Sequence, residues 1–279
     1  MARYTSWRVG GPADRLYIPG GLEDLRTFLQ GLPHGEPVYV VGLGSNLLVR
    51  DGGVRGSVVL MHDALTEIRF EDEKVYAEAG VTTAKLARFA AREHLHGAEW
   101  MAGVPGTVGG ALAMNAGCHG GETWDLVQRA YTIDRHGTLH ERSQVDVEVG
   151  YRHVSLPGEE WFVAAWFQLH RGESKVAEEK IKTLLARRLA TQPLNLPNAG
   201  SVFRNPEGDY AARLIETCGL KGYRIGGAQV SEKHANFIVN LGEASAADIE
   251  QLIIHVHDTV LRLQGVELHR EVKIIGEAV

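Results

Sequence analysis

The stretch from Ala102 to Gly117 limits what this chain can fold into more than any other. It reads Ala-Gly-Val-Pro-Gly-Thr-Val-Gly-Gly-Ala-Leu-Ala-Met-Asn-Ala-Gly, with five glycines and no charge. Glycine loses the most backbone freedom on folding, so the run argues against a regular helix. A plain strand would pack poorly for the same reason. What remains is close approach, of backbone to backbone or of backbone to a ligand. Successive N–H groups with no side chains in the way form an anion-binding concavity suited to phosphate. A tight structural loop is the plain alternative, and with Pro105 and Asn115 in the same run we favour the ligand.

A second glycine loop, Gly42-Leu-Gly-Ser-Asn46, follows the apolar run Pro37–Val41. A dinucleotide fingerprint would need a third glycine and a helix next, and neither is present. The Rossmann reading therefore fails. Two glycine loops in one half of the chain suit a single extended ligand with two phosphates. A flavin dinucleotide fits that description better than a mononucleotide does.

The 279 residues are enough for about two domains. A net charge of −6 argues against broad nucleic-acid binding. Cys118 and Cys218 are too few for a disulfide framework. The N-terminal residues carry no apolar signal core, and no run reaches the ~18 apolar residues of a membrane helix. A cytoplasmic protein is expected.

Apolar spacing predicts helices over 22–32, from Thr82 or Thr83 to His94, over 173–190, from an Asp209 cap to Cys218, and from Ser245 to Gly265. Strands are expected at 14–18, 37–41, 47–50 and 57–61, making a local β-α-β-β unit. Hairpins are expected over 67–77 and 126–142, a buried strand over 161–169, strand-like segments at 223–230 and 236–241, and a closing strand over 266–275. Gln192-Pro193 marks a domain boundary.

Three residues stand out for chemistry. Ser201, in Asn198-Ala-Gly-Ser-Val-Phe-Arg-Asn-Pro206, lies outside any periodic pattern. It does not match a nucleophile elbow, and reads either as a turn serine or as a proton donor beside a developing carbanion. Glu271 would share a strand face with His269 and Lys273; an exposed carboxylate is its ordinary role. Arg152 is a surface arginine or a carboxylate clamp, for which its planar fork is suited. The histidines lack metal-ligand spacing, so no metal site is expected. His119 reads as a loop histidine, with a covalent flavin link as the alternative. The helix-face bases Lys180, Lys182, Arg187 and Arg188 read as solvated, with their far end within reach of a pyrophosphate.

Seven segments occur here in the order they take in the MurB family, the UDP-N-acetylenolpyruvoylglucosamine reductases of peptidoglycan synthesis. They are Gly42–Asn46, Gly103–Gly110, Met114–Gly117, Gly150–Arg152, Gly200–Pro206, Ile225–Gly227 and Arg270–Gly276. The chain resembles that family over nearly its whole length, and its shorter, type II form in particular. The resemblance implies an α+β fold: a two-lobed FAD-binding domain of the vanillyl-alcohol oxidase (PCMH) type and a C-terminal α/β substrate-binding domain. The lobes would be 1–55 and 56–172, followed by a linking helix at 173–190 and the substrate domain at 191–279.

The resemblance further implies a monomeric enzyme with non-covalent FAD and with NADPH as reductant. Hydride would pass from flavin N5 to C3 of the enolpyruvyl ether. Arg152 would stabilise the substrate carboxylate, Ser201 would protonate C2, and Glu271 would orient or polarise the same region. The cofactor would be held by Gly42, Gly44, Ser45, Asn46, Gly103, Pro105, Gly106, Thr107, Gly109, Gly110, Asn115, Ala116 and Gly117. Tyr151, Gln192, Asn205 and His234 would meet the substrate, in a cleft between the two domains. A flavin-dependent alcohol oxidase of the same superfamily and a non-catalytic nucleotide-sugar binder are the alternatives.

Overall fold

A computed structural model describes residues 1–279. Its helices are α1 (Leu22–Gln30), α2 (Thr83–Arg92), α3 (Val108–Met114), α4 (Ser174–Thr191), α5 (Ala211–Thr217) and α6 (Ala246–Gln264). Internal contacts divide the chain into two units. The first comprises Leu16–Gly42 and Ser57–Arg188; the second comprises Met1–Arg15, Leu43–Gly56 and Leu189–Val279. The segment 43–56 thus groups with the C-terminal third rather than with the strands that flank it in sequence. No helix is long and apolar enough to cross a membrane.

The first unit is built on a five-stranded antiparallel sheet. Its strands run in the order Leu139–Arg142, Val127–Asp134, Glu160–Gln168, Lys74–Glu78, Ile68–Glu71. Both hairpins expected from the sequence are present. In the central strand Ala165 lies opposite Ala130 on one side and Ala77 on the other. These small residues leave room for Leu86, Met101, Leu112, Trp124 and Phe167, all fully buried in one cluster. Helix α2 starts where the Thr82 hydroxyl accepts the Lys85 N–H at 3.1 Å, and it buries Leu86, Ala87, Ala90 and Ala91. Val38–Val41 pairs in parallel with Ser57–Leu60.

The glycine stretch is partly helical, against the expectation. A 3₁₀ turn covers Glu99–Gly103 and α3 covers Val108–Met114. The reason is packing. A Cβ on Gly109 would stand 2.9 Å from the Cβ of Ala79, so only glycine lets this helix lie so close to the end of strand 74–78. That contact outweighs the ~1 kcal/mol helix penalty of a glycine.

In the second unit a small antiparallel sheet joins Arg224–Ile225, Ala228–Val230 and Ile238–Asn240. The expected strand over 223–230 is broken by a turn at Gly226, whose φ of +52° favours glycine. Helix α6 opens with a reciprocal Ser245–Asp248 capping box and closes at left-handed Gly265. It buries Ile249, Leu252, Ile253, Val256 and Val260. Trp7 is wholly buried, and its indole N–H donates to the Ile238 carbonyl at 2.7 Å.

Two expectations fail in this unit. Asp209 does not cap α5; it pairs with Arg213, Tyr210 takes the cap position, and the Ala211 N–H donates to Asn205 Oδ1 at 3.1 Å. The closing strand shrinks to Lys273–Ile275, and it pairs in parallel with Leu47–Val49. Strand 47–49 is therefore not part of a local β-α-β-β unit. The alternation counted from Val266, which placed Glu271 on a face with His269, does not apply, because 266–272 is irregular.

Candidate active site

In the first unit, a cavity of about 350 Å³ is rimmed by Gly42, Thr107, Gly109 and Gly110. Both glycine loops of the sequence thus reach one site. Its walls are apolar: Val40, Met61, Ala79, Ala113, Val154, Leu156, Trp161 and Phe162. Close backbone approach shapes the rim, since a Cβ on Gly42 would stand 2.4 Å from Thr107 Oγ1. Thr107 is itself buried and caps α3. A flat apolar slot beside glycine backbone suits part of a dinucleotide, so these residues fit FAD.

The rim is not the open row of N–H groups that the glycines suggested. The Val108 N–H donates to Val81 O at 2.8 Å and the Gly109 N–H to Ala79 O at 2.9 Å. Those donors are committed to the fold. Gly103, Pro105 and Gly106 do not line the cavity. Thr83 holds their loop, its hydroxyl donating to Val104 O at 2.6 Å.

Glu160 is the one ionisable residue on the cavity wall, and no local pattern marks it. Burial alone would raise its carboxyl. Hydrogen bonds from Arg142, at 2.6 and 3.0 Å, and from Thr132, at 2.6 Å, override this and hold it below the usual range.

At the far end of α3, Asn115 is a hub. It is buried, left-handed (φ +41°), and closes the helix. Its Oδ1 accepts the Trp124 N–H at 3.1 Å. Its Nδ2 donates to Glu122 Oε2 at 2.8 Å and to Gly150 O at 3.2 Å. Gly150 ends one arm of the hairpin Glu148–Gly150/His153–Ser155, with Tyr151 and Arg152 at the tip. Arg152 returns to the same place: Nη1 donates to Asn115 O at 3.3 Å and Nη2 to Gly117 O at 2.6 Å. Tyr151 is exposed, with the Arg152 guanidinium 4.8 Å from its ring centre. Asn115, Gly117, Tyr151 and Arg152 are thus brought together, and Ala116 lies between the first two, its carbonyl accepting from Thr123. His119 sits at the next turn with φ +53°. Burial raises the Cys118 thiol, against the charges of Arg152 and Arg188.

The second unit joins the segments that carry Ser201 and Glu271. The Glu271 N–H donates to Val202 O at 2.8 Å, and the Arg204 N–H to His269 O at 2.9 Å. Buried Asn236 braces the serine segment. Its Oδ1 accepts the Phe203 N–H at 3.0 Å, its Nδ2 donates to Phe203 O at 2.8 Å, and its carbonyl accepts the Val202 N–H at 2.9 Å. Asn46 joins the same group: its Nδ2 donates to Glu271 O at 3.1 Å and its carbonyl accepts the Lys273 N–H at 2.9 Å. Gly44 lies against Tyr4 and accepts the Ser6 N–H at 3.1 Å, with Ser45 between Gly44 and Asn46.

The remaining candidates are more scattered. Asn205 is engaged in starting α5. Gln192 opens the loop braced by Asn198, whose Nδ2 donates to Pro193 O and Leu196 O. His234 lies edge-on to Phe237 at 4.7 Å. Burial lowers its basicity, and its Nδ1 is buried without a hydrogen-bond partner. Asn236, Asn198 and Glu122 were missed from sequence. Their roles depend on partners distant in the chain, and no local pattern marks them.

Two family models match parts of this chain. Residues 13–143 match the family described as FAD binding domain. Residues 192–275 match the UDP-N-acetylenolpyruvoylglucosamine reductase C-terminal domain. A reductase of that name from Nitrosospira multiformis is 59% identical, over 99% of this chain and 87% of the relative. One from Alkalilimnicola ehrlichii is also 59% identical, over 100% and 93%. The crystal structure of the Thermus caldophilus reductase (MurB) superposes with a TM-score of 0.84 at 33% identity, covering 99% of this chain and 97% of that one. The chain belongs to the UDP-N-acetylenolpyruvoylglucosamine reductase family.

Proposed function

We propose that this enzyme uses NADPH and bound FAD to reduce the enolpyruvyl ether of UDP-N-acetylglucosamine enolpyruvate, giving UDP-N-acetylmuramate. In this reading it works as a monomer in the cytoplasm. The observation that carries the reading is the Val202–Glu271 hydrogen bond, which joins the segments holding Ser201 and Glu271. Relatives bearing the reductase name at 59% identity support it.

FAD, when bound, supplies at N5 the hydride that NADPH donates. The protein's task is to manage the charge and the proton that follow. As C3 gains its hydride, negative charge builds at C2 and spreads into the adjoining carboxylate. Arg152 stabilises that carboxylate, and a fixed cation aimed at developing charge accelerates the step. Ser201 donates its hydroxyl proton to C2, completing reduction of the double bond. Glu271 orients and polarises the same region. Tyr151, Gln192, Asn205 and His234 hold the nucleotide sugar.

The test is direct. Purified enzyme is mixed with NADPH, and the loss of NADPH absorbance is followed with and without the enolpyruvyl nucleotide sugar. Substrate-dependent oxidation with one saturated product per NADPH is expected. Rapid NADPH-independent oxygen consumption on an alcohol, or a protein that purifies without flavin colour, would overturn the reading.

A further inference from the structure

We infer that Glu122 is a positioning residue for Arg152, holding the guanidinium in the direction from which it meets the substrate carboxylate. The inference rests on the role proposed above for Arg152.

Arg152 sits at a hairpin tip with φ +56°, a left-handed conformation that is strained for a non-glycine residue. Such a conformation persists only where its surroundings enforce it. Two carbonyls, Asn115 O and Gly117 O, accept hydrogen bonds from the guanidinium. They fix its distance from the end of α3, but both are neutral and both belong to one turn. Glu122 adds a charge from a second direction, with Oε1 3.8 Å from Nη1.

The same carboxylate grips the other end of the arrangement. Its Oε2 accepts from Asn115 Nδ2 at 2.8 Å, and the same Nδ2 also donates to Gly150 O, two residues before Arg152. Glu122 therefore acts on Arg152 twice, once on its side chain and once, through Asn115, on its backbone. Its own place is firm. Glu122 pairs with Gly117 in a short antiparallel ladder, and its N–H donates to Asp125 Oδ2 at 3.1 Å. At 3.8 Å the ion pair is long and its carboxylate is partly exposed, so it adds little stability. The pair orients the guanidinium more than it stabilises the fold.

The experiment compares Glu122→Ala, Glu122→Gln and Arg152→Ala with wild type, all loaded with FAD. Rapid mixing measures the two half-reactions separately: oxidation of NADPH, and reduction of the enolpyruvyl substrate. FAD affinity and melting temperature are measured alongside. Glu122→Ala should slow substrate reduction at least tenfold more than NADPH oxidation. Glu122→Gln keeps an acceptor for Asn115 but loses the charge, and should show a smaller excess, about threefold. Equal slowing of both half-reactions, or loss of FAD affinity alone, would mean a structural role and overturn the proposal. If Glu122→Ala does not fold, Glu122→Gln decides, and a wild-type ratio there overturns it. If Arg152→Ala spares substrate reduction, it is the Arg152 reading that fails.

Discussion

The Glu271 N–H donates to the Val202 carbonyl at 2.8 Å, so a glutamate and a serine far apart in the chain are held one residue from direct opposition. This bond joins two backbone groups, so neither the serine nor the glutamate side chain is needed to make it.

Ser201→Ala should therefore keep the fold and the FAD content while losing the proton donor. General acid–base groups contribute about 10²–10⁴-fold, so reduction of the enolpyruvyl substrate should fall by at least 10². Single-turnover product formation checks this. Wild-type rates in Ser201→Ala would remove serine from the mechanism.

The two adjacent glycines of α3 should respond differently. A Cβ on Gly109 meets Ala79 Cβ at 2.9 Å, whereas on Gly110 its nearest neighbour is Thr107 Oγ1 at 3.8 Å. Gly109→Val should lower melting temperature and FAD occupancy together. Gly110→Ala should leave stability near wild type, and Gly110→Val should weaken FAD alone, because Gly110 lines the cavity without packing on the strand. Equal melting-temperature losses for Gly109→Val and Gly110→Val would contradict the packing argument.

Asn236→Ala should destabilise the second unit. It removes the partners of both the Phe203 N–H and carbonyl inside the core. A buried polar group left unpaired costs about 1–3 kcal/mol. Urea unfolding should show a loss in that range, and substrate reduction should fall too, because the Ser201 segment loses its brace. A stability within error of wild type would show that the amide is not supporting that segment.

His234 makes a pH-dependent contribution of known sign. Burial lowers its folded-state pKa below the ordinary histidine value of about 6.5. The unfolded chain then binds a proton more readily than the folded one, so stability is full above that value and falls as pH drops through and below it. His234→Gln should remove this part of the decline. Unfolding curves at pH 7.5 and pH 5.5 measure it, and an identical pH dependence in the variant would exclude His234 as its source.

The sequence displayed what is local and hid what is distant. Helix α6 was legible because Ser245, Asp248 and Gly265 mark its ends and its apolar spacing is regular. The hairpins were legible for similar reasons. The Gly42 and Gly109 loops read as one ligand site, yet the N–H groups of Val108 and Gly109 donate to Val81 and Ala79 instead of standing open. Glu122 and Asn236 were invisible, since each acquires its role from residues other elements bring to it. Strand 266–275 misled for the same reason: alternation in a short segment cannot reveal that Lys273–Ile275 pairs with Leu47–Val49 while Arg270 bridges Phe203.

That partner has a consequence for biosynthesis. Lys273 pairs with Leu47, so the second unit closes on residues made 226 positions earlier. During synthesis on a ribosome, the first unit is available as soon as Arg188 has emerged. Leu47–Val49 must wait, an apolar strand without its neighbour, until nearly the whole chain has been released. Pairings between such distant segments form slowly, and an unpaired apolar strand is prone to aggregate. The interval between those two events is when that strand is most exposed to wrong pairing.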